Sequence, residues 1–115
     1  MYLGKEVRVF LKGEAEKSHL LLMERRDKDK EARSILNSFE RVKELLKQNP
    51  QYGDPVPKKL IPAIFLKMGI KNLYRVELSN YWRMLYTLEG NDVEILVFVL
   101  SITDHKGYNK LFGYK

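Results

Sequence analysis

A chain of 115 residues and 13.6 kDa has room for one domain built around one core. A hydrophobic fraction of 44%, with seven Tyr, five Phe and one Trp, supplies that core and excludes a disordered chain. The lack of cysteine excludes disulfides, thiolate catalysis and thiolate-bound metal sites, while the net charge of +6 favours anionic partners and divides equally between residues 1–49 and the remainder.

The first segment, MYLGKEVRVFLKGE, has charges within a short apolar alternation and no long apolar core, so no signal peptide is predicted. Ile95–Leu100 is the longest apolar run, far short of a membrane span. A cytoplasmic location, with no membrane partner, is the expectation. In Glu6–Leu11, Val7, Val9 and Leu11 alternate with Glu6, Arg8 and Phe10, which predicts a strand that Lys12-Gly13-Glu14 breaks. From Glu14 to about Arg26 strong helix formers follow, with Leu20, Leu21, Leu22 and Met23 predicted to form a broad apolar face.

Residues 25–31, RRDKDKE, carry no apolar side chain and read as the turn of a helical hairpin, with Asp27 or Asp29 capping the second helix. That helix is marked by Ala32, Ile35, Leu36, Phe39, Val42, Leu45 and Leu46 at spacings of three and four, and Asn49-Pro50 ends it. Residues 50–62 hold all four prolines and form an ordered connector; Ile64–Met68 fits either a short strand or a helical turn. After Gly69 come three strand-like segments, Leu73–Ser79, Tyr81–Leu88 and Val93–Ser101, the last two joined as a hairpin through Glu89–Asp92. The tail from Thr103 shows no clean period. Strand, two helices and then sequential strands predict an α+β fold in which the helices cover one face of an antiparallel sheet.

The other face has its own pattern. With Tyr74, Val76 and Leu78 turned to the helices, Arg75 and Glu77 share the opposite side. Arg83 lies opposite Trp82, Met84, Tyr86 and Leu88, so it joins them. Two arginines with a carboxylate could clamp a phosphate and move a proton. Equally, Arg–Glu pairs across strands support sheets that have no such task. His19 falls among core positions of the first helix and is read as structural. Tyr114 could reach the polar face, although its neighbours Leu111 and Phe112 favour docking of the tail.

The strand order, together with YRVEL at 74–78, YWRMLY at 81–86 and DHKGY at 104–108, resembles the RelE/ParE superfamily of toxins, in particular archaeal-type RelE-like proteins. The resemblance spans almost the whole chain. It implies a strand, a helical hairpin and a three- to four-stranded antiparallel sheet, in a toxin neutralised by a cognate antitoxin. In RelE-type members it implies a metal-independent endoribonuclease, an mRNA interferase acting on ribosome-bound messenger RNA by 2′-OH attack on the adjacent phosphate. The resemblance places Arg83, Glu77 and His105 as catalytic residues: phosphate stabiliser, base and acid. It places Arg75, Lys106 and Tyr108 as substrate-binding residues, with no cofactor. RelE-type enzymes usually carry a second arginine after the last strand, where this chain has His105 and Lys106. The resemblance also leaves room for a ParE-like gyrase inhibitor or a RelE-fold RNA- or protein-binding module without catalysis.

Overall fold

The computed structural model describes residues 1–114. Strand β1 (Glu6–Leu11) leads into α1 (Gly13–Arg25) and α2 (Lys30–Gln48). A two-residue strand β2 (Asp54–Pro55) and a 3₁₀ turn (Lys58–Leu60) precede the short helix α3 (Ala63–Lys67). Then come β3 (Tyr74–Glu77), a 3₁₀ turn (Ser79–Tyr81), β4 (Arg83–Gly90), β5 (Glu94–Thr103) and α4 (His105–Phe112). The α+β class holds, but the sheet differs from the expected three or four antiparallel strands. It is mixed and five-stranded, in the order β1-β5-β4-β3-β2, with β1 parallel to β5 and the other pairs antiparallel.

The reason for the difference lies in rows of apolar side chains. Leu11 pairs with Val99, Val99 with Tyr86, and Tyr86 with Tyr74, so β1 at the edge of β5 lengthens the row that the helices cover. A parallel partner needs a long crossover, which the intervening helices and strands provide. Against these rows lies the α2 stripe, with Ala32, Ile35, Leu36, Phe39, Val42 and Leu46 all buried. Fully burying a side chain of this size contributes about 1.5–3 kcal/mol. Asp29 caps α2 by accepting a hydrogen bond from the Ala32 N–H at 3.2 Å, which resolves the choice between Asp27 and Asp29.

Helix α1 is less amphipathic than expected. Leu22 is buried with Ala15, whereas Leu20, Leu21 and Met23 are exposed, because one row of α1 suffices to meet α2 and β5. Ile64–Met68 resolves as helix rather than strand, and the aperiodic tail forms α4, capped by Asp104 accepting from the Gly107 N–H at 2.8 Å. These two helices create something the sequence pattern hid: a second core on the opposite face, made of Ile61, Phe65, Leu73, Leu85, Leu100 and Tyr108. The polar face is therefore not open along its length; α3 and α4 close its middle.

A bulge refines the register. Leu85 opposes Ser101 while Tyr86 opposes Val99, leaving Leu100 as the extra residue. It keeps Leu100 in the second core and sets Thr103 opposite Arg83. Among the described residues, no helix is long and apolar enough to cross a membrane.

Candidate functional site

At the β3–β4 end of the second face, register assembles the charged residues. Glu77, Arg83 and Thr103 form one row across three strands, and Asp54, Arg75 and Leu85 form the next. Arg83 Nη2 lies 3.8 Å from Glu77 Oε1, with the Arg83 side chain 22% exposed and that of Glu77 74% exposed. Arg75 Nη2 lies 3.7 Å from Asp54 Oδ2.

Helix α4 then folds back over both arginines. Its geometry depends on Gly107, which packs directly against the Thr103 side chain and leaves no room for a Cβ. That close approach brings Tyr108 across the site. The Arg83 guanidinium carbon sits 4.8 Å above the Tyr108 ring centroid. The Tyr108 hydroxyl accepts a hydrogen bond from Arg75 Nη1 at 3.3 Å. This bond is the main reason that the Arg75 pKa rises above the ordinary arginine value; burial opposes the rise, and the carboxylates of Asp54 and Glu77 reinforce it. One phenol thus seats both cations.

Arg83 Nε is buried and has no hydrogen-bond partner among the described residues. A buried donor of this kind favours an acceptor, since leaving it unpaired costs about 1–3 kcal/mol. Arg75 also lines a pocket of about 110 Å³ with Tyr108, Phe112 and Tyr114, and a shallower groove with Asp54 and Glu77.

The structure therefore brings together Arg75, Glu77, Arg83 and Tyr108. Tyr108 is 4% exposed, with Arg83 over its ring and Phe112 4.5 Å away, so it positions arginines and has no free face for a nucleobase. His105 and Lys106 begin α4 as exposed residues, and among the described residues no hydrogen bond or ion pair ties either to the cluster. His105 nonetheless stands only two residues beyond Thr103, the partner of Arg83. Tyr114 stacks on Phe112 and borders the Arg75 pocket, joining the two readings of the tail. His19 meets Phe39 edge-on at 5.3 Å, within the helical hairpin.

Two contributors escaped the sequence pattern. Asp54 sits in the proline-rich connector, where only its pairing with Arg75 reveals it. Tyr81, 79% exposed, was hidden by reading its segment as continuous strand. Among the described residues, no group of three or more His, Asp or Glu is placed to hold a metal ion. Comparison of the chain with protein-family models, with curated proteins and with solved structures gives no match.

Proposed function

We propose that this chain is a RelE-like toxin that cuts ribosome-bound messenger RNA in the cytoplasm without a metal. The observation that carries the reading is Arg83: a guanidinium seated on a phenol, set across from Glu77, with a buried N–H left unpaired. In the proposed step the ribose 2′ oxygen bonds to the adjacent phosphorus and the bond from phosphorus to the 5′ oxygen breaks. The products are a 2′,3′-cyclic phosphate and a 5′-OH end. Glu77 takes the 2′-OH proton, His105 protonates the leaving oxygen, and Arg83 with Arg75 stabilises the charge on the phosphorane. Lys106 adds positive charge for the backbone beside His105.

A cognate antitoxin would cover the polar groove and the helical hairpin, where Leu20, Leu21 and Met23 offer apolar anchors. The separation of His105 from the cluster favours a second reading, an RNA-binding module of the same fold without catalysis.

Primer extension on translated message tests the proposal. Arg83→Ala should reduce cleavage by about 10²–10³-fold, the usual loss for one donor to a developing anion. Equal cleavage by both proteins, or by neither, overturns the nuclease reading. Inhibition of supercoiling with translation unaffected would support a gyrase inhibitor instead.

A further inference from the structure

Helix α2 carries a second pattern beside its buried stripe. Lys30, Arg33, Asn37 and Arg41 follow at intervals of three and four residues and share one exposed face. Of the acidic residues on this helix, Glu40 pairs with Lys43 at 2.9 Å and Glu44 with Lys47 at 3.4 Å, and Glu31 in the first turn pairs with none of the basic row. No carboxylate among the described residues pairs with Lys30, Arg33 or Arg41. Arg33 is held in place without being neutralised, since its Nη1 donates to the backbone carbonyls of Arg26 and Asp27 at 2.9 and 3.4 Å.

This face is one wall of a groove of about 350 Å³, and Ser79 forms the other. The hydroxyls between them leave a donor to spare. Ser34 donates to Ser79 Oγ at 2.9 Å, and Ser38 donates to the Ile35 carbonyl at 2.8 Å while accepting from the Ser79 N–H at 3.1 Å. The remaining contact, from Ser38 Oγ to Ser79 Oγ, is 3.5 Å, too long for a good bond, so the Ser79 hydroxyl proton has no acceptor among the described residues. Every residue lining the groove is polar or basic.

At its end the backbone does something costly. Asn80 and Tyr81 both take positive φ, 58° and 63°, a conformation that L residues with side chains disfavour. The result is that Tyr81 projects into solvent, 79% exposed, between Glu77 on β3 and Arg83 on β4. A cationic track of lysine and arginine, a hydroxyl donor and an exposed aromatic side chain together match single-stranded nucleic acid. An acidic peptide would seek apolar anchors, and the groove has none.

We infer that the α2 groove and Tyr81 form a track for single-stranded RNA, its phosphates along Lys30, Arg33 and Arg41 and one base stacked on Tyr81. From there the strand rounds the Ser79–Tyr81 turn and enters the Arg83 site. Only that last direction rests on the proposed nuclease reading; binding in the groove does not.

The experiment is fluorescence anisotropy with a short labelled RNA whose riboses are 2′-O-methylated, so that no 2′-OH attack can occur. Arg33→Ala/Arg41→Ala should weaken binding about tenfold or more, and should lower the slope of log K against log salt by about 1.4, roughly 0.7 for each lost phosphate contact. Tyr81→Ala should weaken binding by about tenfold with the salt slope unchanged. Unchanged affinity in the arginine pair overturns the track. So does an equal loss in Lys67→Ala/Lys71→Ala, which removes the same net charge elsewhere, or displacement of the RNA by a poly-glutamate peptide at equal charge concentration. If the track variants behave as expected while Arg83→Ala leaves cleavage of natural message unaltered, the track stands and the nuclease reading falls.

Discussion

The two faces of the sheet solve burial differently. On the face covered by α1 and α2, long rows of strand residues meet a 19-residue helix along one continuous apolar stripe. On the other face a five-residue helix and the eight-residue α4 cap only the middle, and the rest is left to Arg75, Glu77 and Arg83. Tyr108 belongs to both worlds of that second face, as part of its core and as the seat of both arginines. The contrast teaches that stability is concentrated where the hairpin packs, which frees the opposite face to keep charges that burial would otherwise exclude.

Two phenylalanines of similar burial test this most severely. Phe39 on α2 is 3% exposed and Phe65 on α3 is 5% exposed. Phe39→Ala should cost about 3–5 kcal/mol, because its neighbours on α2 and the sheet are fixed and cannot fill the cavity. Phe65→Ala should fall near the lower end, about 3 kcal/mol, since exposed Ile64, Leu66 and Met68 can repack into the gap. Urea unfolding of both variants measures the difference. Equal losses would erase the asymmetry between the faces.

Tyr86 probes the seam where the connector crosses the helix-covered face. It is fully buried, donates to the Pro50 carbonyl at 2.7 Å and accepts from the Gly53 N–H at 2.9 Å. Gly53 lies so close to Tyr86 and Val76 that a Cβ there would meet both at 2.9 Å, which fixes the connector against the sheet. Burial pushes the Tyr86 phenol up to about 12 from 10.0. A folded-state pKa above the unfolded one means the folded protein keeps its proton longer, so stability present below pH 10 is lost as pH rises toward 12. Tyr86→Phe should cost about 1–3 kcal/mol at neutral pH by stranding the two backbone groups. It should also remove an alkaline loss of roughly 1.4 kcal/mol per pH unit. A variant with the wild-type alkaline slope would show that the phenol is not the group responsible.

The helix-covered face was legible because its signals are periodic. The spacing of Ile35, Leu36, Phe39, Val42 and Leu46 predicts both the helix and its buried side, and the alternation around Met84 and Tyr86 predicts theirs. The second face was legible only for Arg75, Glu77 and Arg83, whose strands alternate. Its covers were not, since Ala63–Lys67 is barely more than one turn and the tail mixes Gly, Tyr and Lys without a repeat. The parallel pairing of β1 with β5 joins residues some ninety positions apart, a separation no local pattern encodes. Tyr81 opens a predicted strand but closes a 3₁₀ turn in the structure, because alternation counts residues and does not register the two left-handed backbone angles at Asn80 and Tyr81.

The gentlest test lies at His19, on the margin between the hairpin and solvent. Burial lowers its pKa from 6.5, and the charge of Lys43 adds to that; Glu40 opposes both. The folded protein therefore binds a proton less readily than the unfolded chain, so the contribution is intact above pH 6.5 and is lost as pH falls through the lower folded-state pKa. His19→Leu should keep the apolar contact and flatten this acid-side slope, so that the gap between the two unfolding midpoints widens as pH drops from 7.5 to 5, in line with the ordinary range of histidine titration, roughly centred on 6.5. Raising the salt concentration should change the gap little, because burial outweighs Glu40 and Lys43 in setting the shift. A gap that closes toward acid would mean that Glu40 governs His19, and that the hairpin is held at this point by charge rather than by the packing that distinguishes its face of the sheet.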